Sequence, residues 1–144
     1  MDTLRHARIQ ELLNKRDVGA FIGWRGDELV LMTGYYPQWG TSFCLYPREG
    51  QPILFNPALE PKDRLPEGLD VREYGWGVSA DPWSELLNAM KDALRERGLQ
   101  SQPVSFIQAA AQSAPCVNSA EGQPVPPQVM DSLAGITPAG SVDI

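Results

Sequence analysis

Residues 18–24, Val18-Gly19-Ala20-Phe21-Ile22-Gly23-Trp24, form an unbroken apolar run directly behind an amphipathic segment. A strand with one wet face alternates apolar and polar residues, whereas a run without alternation needs cover on both faces. The run therefore predicts a buried strand in a sheet flanked by helices. The segment before it supplies one such helix. Leu4, Ala7, Ile9, Leu12 and Leu13 share a side, while Arg5, Arg8, Glu11, Lys15 and Arg16 point mostly outward, and Asp2 or Thr3 serves as the cap.

The rest of the chain keeps interleaving the two element types. Asp27 is expected to cap a short helix through residues 28–32, stopped at Thr33-Gly34. Residues 41–46 and 51–55 flank Pro47-Arg48-Glu49-Gly50, a turn whose glycine accepts a positive φ, and so read as a β-hairpin. Pro57, Pro61 and Pro66 make the next stretch irregular, ahead of a strand at residues 70–74. Asp81-Pro82 opens a helix carrying Trp83, Leu86, Leu87, Met90 and Leu94 on one stripe, with Lys91, Arg95 and Arg97 near its end and Gly98 closing it. Residues 104–107 read as a last strand. Pro126-Pro127 starts a helix marked by Val129, Met130 and Leu133, and residues 109–123 are equally compatible with a helix or a loose loop. The pattern is that of an α/β domain with a mixed sheet and helices on both faces.

Composition narrows the function. At 144 residues the chain suits one domain with an ordinary core, and a net charge of −6 makes nucleic acid a poor partner. No apolar run has the length of a membrane span or the form of a signal peptide, so a cytoplasmic location is expected. His6 is the single histidine and Cys44 and Cys116 are the two cysteines, without CxxC or HExxH spacing, so no metal site is expected. Phosphate-cradling glycine motifs are absent as well. All 12 Lys and Arg precede Gly98, and the remainder is rich in Pro, Ala, Ser and Gln.

A few side chains stand out as candidates. Tyr35, Tyr36 and Trp39 put three aromatics in one loop, a composition suited to an interface or a substrate lid, or to local packing. Arg25 and Asp27 flank Gly26 just beyond a strand end, where open sheets place ligands. Trp24 and Trp76 are expected at strand ends and Trp83 on an apolar helix stripe, all three as core or rim residues. Cys44, between Phe43 and Leu45, reads as a buried structural thiol, and Cys116 as a bystander. A hydrolase built on either cysteine lacks a base nearby in sequence. His6 reads as solvent-facing, and Glu60, Asp63 and Glu67 as a solvated acidic loop.

In order and spacing these pieces resemble the amino-terminal domain of the creatinase, prolidase and aminopeptidase P (Xaa-Pro peptidase) family. The resemblance is carried by residues 18–22, by Leu29-Val30-Leu31-Met32-Thr33-Gly34-Tyr35-Tyr36, and by the hairpin Phe43-Cys44-Leu45-Tyr46 with Gly50-Gln51-Pro52-Ile53-Leu54. It extends over residues 4–107. The tail from Leu133 to Ile144 is similar to the segment leading into that family's second domain. The resemblance implies a creatinase/prolidase N-terminal-domain-like fold with a ribonuclease H-like motif, occupying residues 1–144, with 108–144 leading toward an absent catalytic domain. It implies no catalytic residue and no cofactor on this chain. A divalent metal pair is expected only in a carboxyl-terminal pita-bread catalytic domain, which would be one partner. Self-association as a homodimer would supply the other. A free-standing module that binds a small molecule or a partner through residues 35–40 is the alternative.

Overall fold

The computed structural model describes residues 2–38, 40–106 and 127–136. Nine helices and strands are seen among them: α1 (Thr3–Lys15), β1 (Ala20–Gly23), α2 (Gly26–Thr33), β2 (Phe43–Pro47), β3 (Ile53–Pro57), β4 (Asp70–Tyr74), α3 (Pro82–Glu96), β5 (Val104–Phe106) and α4 (Pro127–Ile136). A single 3₁₀ turn at Lys62–Arg64 is the only regular piece in the proline-rich stretch before β4.

The sheet order is β4-β3-β2-β1-β5. β2 runs antiparallel to both its neighbours, with Phe21 opposite Tyr46 and Cys44 opposite Leu54. β3 pairs parallel with β4, and β1 parallel with β5. Four strands therefore point one way and β2 the other, giving the mixed sheet expected from the sequence. The turn between β2 and β3 closes on Gly50 at φ +87°, a backbone that a side chain would strain.

Both faces of the sheet are covered, which explains the unbroken apolar run at β1. Ala20, Ile22, Phe43, Leu45, Ile53 and Phe55 face α3 and α4, meeting Leu86, Met90, Ala93, Leu94, Val129 and Leu133. Phe21, Cys44, Tyr46 and Leu54 face the other way, onto Leu13 of α1 and Leu29 and Met32 of α2. Alternation survives within each strand, but both sets of side chains are apolar.

The helix ends follow the sequence reading with one correction. Asp2 caps α1, accepting from the Leu4 and Arg5 amides, and Asp81 caps α3 by accepting from Ser84 N–H, with Pro82 in its first turn. Asp27 does not cap α2. The helix begins two residues earlier, at Gly26, so Arg25 is the flanking residue and the Glu28 carboxylate reaches back to accept from Trp24 N–H and Arg25 N–H, each at 3.1 Å.

His6 also departs from expectation. It is half-buried rather than solvent-facing, because its Nδ1 hydrogen-bonds the hydroxyl of Tyr46, a wholly buried residue of β2. Cys44 is free and buried, as expected. Cys116 and residues 109–123 lie outside the described residues. Among those described, no helix is long and apolar enough to cross a membrane.

Candidate functional site at the carboxyl edge of the sheet

Because β1, β3, β4 and β5 run in one direction, their carboxyl ends and the amino end of β2 share one edge of the sheet. Open α/β sheets bind ligands at such an edge, where loops can vary without disturbing the core. Here the edge rests on an aromatic layer. Trp24 packs 6.1 Å from Phe43 and 6.4 Å from Phe106, and Trp83 meets Phe43 edge-on at 6.4 Å.

The loop leading into β2 holds the aromatic candidates, and its two tyrosines are placed differently. Tyr35 is 3% exposed and packs into the α1/α2 core, whereas Tyr36 is 43% exposed. Trp39 lies outside the described residues. The Tyr35 phenol is directed toward Asn56 and Glu60, and its pKa is pushed up by burial first and by the Glu60 charge second. Thr33, at the end of α2, helps turn the chain by donating its hydroxyl to Leu29 C=O and accepting from Tyr35 N–H.

Glu60 is the residue that sequence reasoning placed wrongly. Asp63 and Glu67 are exposed as expected of a solvated loop, but Glu60 is only 3% exposed. Its Oε1 accepts from Gln38 N–H at 2.6 Å and from Gly40 N–H at 3.4 Å. A charge removed from water in this way requires such donors. Nothing local signals this burial. It arises because the exit of β3 folds under the loop before β2, 20 residues away in sequence.

The polar layer continues beneath the edge. Ser42 donates to Asn56 Oδ1 at 2.7 Å, and the Tyr74 hydroxyl donates to Thr41 C=O. Burial raises the Tyr74 pKa, with the Glu60 charge adding to it. A second carboxylate, Glu85 in the first turn of α3, holds the exit of β4 by accepting from Gly75 N–H at 2.8 Å and from the Ser79 hydroxyl.

Arg25 and Asp27 sit at the same edge, beyond β1. Their side chains pair with each other at 3.0 Å on the surface, apart from the buried Glu60 layer. Gly40 lies where Pro57 and Trp76 press on the loop: a Cβ there would stand 2.8 Å from Pro57 Cγ and 2.9 Å from Trp76 Cε3. Leu59 and Val78, both more than half exposed, extend the apolar surface of this edge.

Among the described residues no three His, Cys, Asp or Glu side chains converge in a group that could hold a metal ion. Cys44 is sealed in the core with its thiol pushed up by burial, the opposite of an activated nucleophile.

No family model matches the chain, and no match is found among curated proteins. Solved structures do match. The creatinase/prolidase N-terminal domain of an X-Pro dipeptidase from Streptococcus pyogenes aligns with a TM-score of 0.65 at 15% identity, over 99% of this chain and 100% of that one. A proline dipeptidase from Streptococcus agalactiae aligns with a TM-score of 0.62 at 16% identity, over 98% and 92%. Against a dipeptidase from Pyrococcus horikoshii the TM-score is 0.59 at 13% identity, and the alignment covers 92% of this chain but 32% of the other. At these identities likeness speaks to architecture, and the architecture is plain: this chain has the mixed α/β fold of the creatinase/prolidase N-terminal domain.

Proposed function

We propose that the chain is the non-catalytic amino-terminal domain of a metal-dependent Xaa-Pro peptidase or creatinase-like hydrolase, contributing to oligomerisation and to capping of the active-site cleft. The observation that carries this reading is the two-way coverage with the Streptococcus pyogenes domain, which leaves almost nothing of either chain unaligned. The division of labour follows from the residues. The metal pair and the hydrolytic step belong to a pita-bread partner domain. This chain supplies shape through its carboxyl edge: Tyr35 supports the loop from below, and Tyr36 presents an aromatic face with a polar tip. Trp39 is assigned to the same contact surface. Arg25 and Asp27, at the neighbouring strand end, are the residues for a polar contact with whatever the edge meets. The reading takes the protein to be cytoplasmic, in keeping with the free thiol of Cys44.

Association is the direct test. Light scattering on the size-exclusion peak should show a dimer forming as concentration rises, and Tyr36→Ser should weaken it while changing stability by no more than about 0.5 kcal/mol, as for an exposed position. A strict monomer at high concentration would overturn the oligomerisation role. Reading the coding sequence after Ile144 tests the partner domain. A frame that continues into a domain with two Asp, one His and two Glu as ligands supports the cap. A stop codon favours a free-standing module, and a ligand-dependent rise in melting temperature lost in Trp39→Ala would then identify its surface.

A further inference from the structure

The two halves of α1 are held to the sheet by different forces. Leu13, in the last turn, is the buried residue of the helix, and Ile9 packs partly against the same core. The first half has no such apolar anchor, and Leu4 is 63% exposed. Hydrogen bonds tie it down instead. Arg5 Nη1 donates to Val30 C=O at 3.4 Å, the Gln10 side-chain amide donates to Gly50 C=O at 3.3 Å, and His6 Nδ1 meets the Tyr46 hydroxyl. The first two lie at the surface, where water competes for the same groups. The third reaches a side chain with no exposure at all.

The Tyr46 phenol keeps its proton, and among the described residues His6 is the one hydrogen-bond partner of that hydroxyl. The hydroxyl therefore donates, and the neutral ring accepts on Nδ1 and carries its own proton on Nε2. A proton added to Nδ1 turns that nitrogen into a second donor. The hydroxyl must then accept, and its hydrogen loses its partner inside the core around Leu13 and Leu54. The stronger bond from a charged donor is outweighed by this stranded hydrogen, by a cation on a half-buried ring, and by Arg5, whose charge already acts on the same phenol. The other groups around the ring do not relieve it. Asp2, one turn earlier on α1, is exposed and accepts from the Leu4 and Arg5 amides. On α2 the acids Asp27 and Glu28 occupy the first turn, whereas Arg5 meets this helix at Val30 and Gly34. On β2 Cys44 is neutral, its thiol pushed up by burial, and at the turn Arg48 pairs with Asp17 while Glu49 is exposed.

We infer that the His6–Tyr46 pair is an acid-sensitive latch: a proton taken from solvent onto Nδ1 ends the hydrogen bond that the ring accepts and frees the first half of α1 from β2. The neutral ring fits the docked helix and the charged ring does not. Docking of this half is therefore complete above the range in which histidine titrates, about pH 6.5, and is lost as pH falls through it.

NMR on the full chain tests this. At about pH 8 the imidazole nitrogen shifts should show His6 protonated on Nε2 alone, and a proton on Nδ1 there overturns the inference. Amide exchange, corrected for intrinsic rates, then reads the latch. Between about pH 8 and about pH 5 the protection of the Ala7, Arg8 and Ile9 amides should fall by about tenfold, while amides of β1 and β2 keep theirs. His6→Gln retains an acceptor for the hydroxyl and does not titrate, and Tyr46→Phe leaves no hydrogen to strand. Both variants should show equal protection at the two pH values. Glu28 cannot produce the fall, because burial raises its carboxyl and its contribution shrinks as pH rises, the opposite direction. Unchanged protection in the unaltered protein overturns the inference, as does a fall that persists in either variant. An equal fall across β1 and β2 overturns it too, since that marks general acid destabilisation. Should Tyr46→Phe not fold, His6→Gln decides alone.

Discussion

Glu28 and His6 show how single side chains serve the fold here at a cost. Glu28 closes the start of α2, yet burial holds its carboxyl above the usual carboxylate value of 4.5, with the amides of Arg25 and Trp24 pulling the other way. The folded protein therefore binds that proton more tightly than the unfolded chain does. The contribution of Glu28 to stability falls as pH rises from its ordinary value through its raised one. Glu28→Gln, which keeps an acceptor and loses the titration, should flatten this part of the curve in urea melts run from about pH 4 to about pH 7. The pair formed by His6 and Tyr46 predicts an asymmetry. Burial and the neighbouring Cys44 push the Tyr46 phenol up to about 12, so it remains a neutral donor. Tyr46→Phe removes the hydroxyl whole, whereas His6→Ala leaves it buried without its ring partner. His6→Ala should thus be the more destabilising, by about 1–3 kcal/mol, in thermal or denaturant unfolding.

At the level of elements, legibility in the sequence follows the reach of the forces involved. α3 was readable because its cap, its first-turn proline and its apolar stripe lie within one stretch of chain, and the hairpin because Gly50 marks its turn. Both depend on neighbours a few residues away. The pairing of β5 with β1 and the burial of Glu60 depend on segments that meet only in the folded protein, and no local pattern encodes them. The Tyr46 contact of His6 spans 40 positions and was equally hidden. The site divides along the same line. Its aromatic loop was visible as composition, whereas its buried acceptor and the split between Tyr35 and Tyr36 were not. α4 offers a test at this scale, because Leu133 is fully enclosed against α3 although its helix is reached only after a long connection. Leu133→Ala should cost about 2–5 kcal/mol, as should Leu86→Ala on the facing helix. A negligible loss in chemical denaturation would place α4 outside the cooperative unit.

For the molecule as a whole, the two-sided sheet ties both cores to the same strands, so neither core can be exposed without disturbing the strands they share. Among the described residues its outer strands are modest: β5 has three residues, and β4 carries Asp70, Arg72 and Glu73, with Arg72 bridging to Glu96 at 2.6 Å. Short or charged margins of this kind keep sheets from growing by edge-to-edge pairing. Cys44 lies on β2, the one strand whose direction opposes all the others, with strands bonded on both sides and no solvent exposure. That position makes its sulfur a reporter of opening. In a Cys116→Ser background, a thiol-specific reagent should modify the native protein only as fast as the sheet opens globally, and the labelling rate should track unfolding as denaturant is added. Modification well ahead of unfolding would instead reveal that the middle of the sheet breathes on its own.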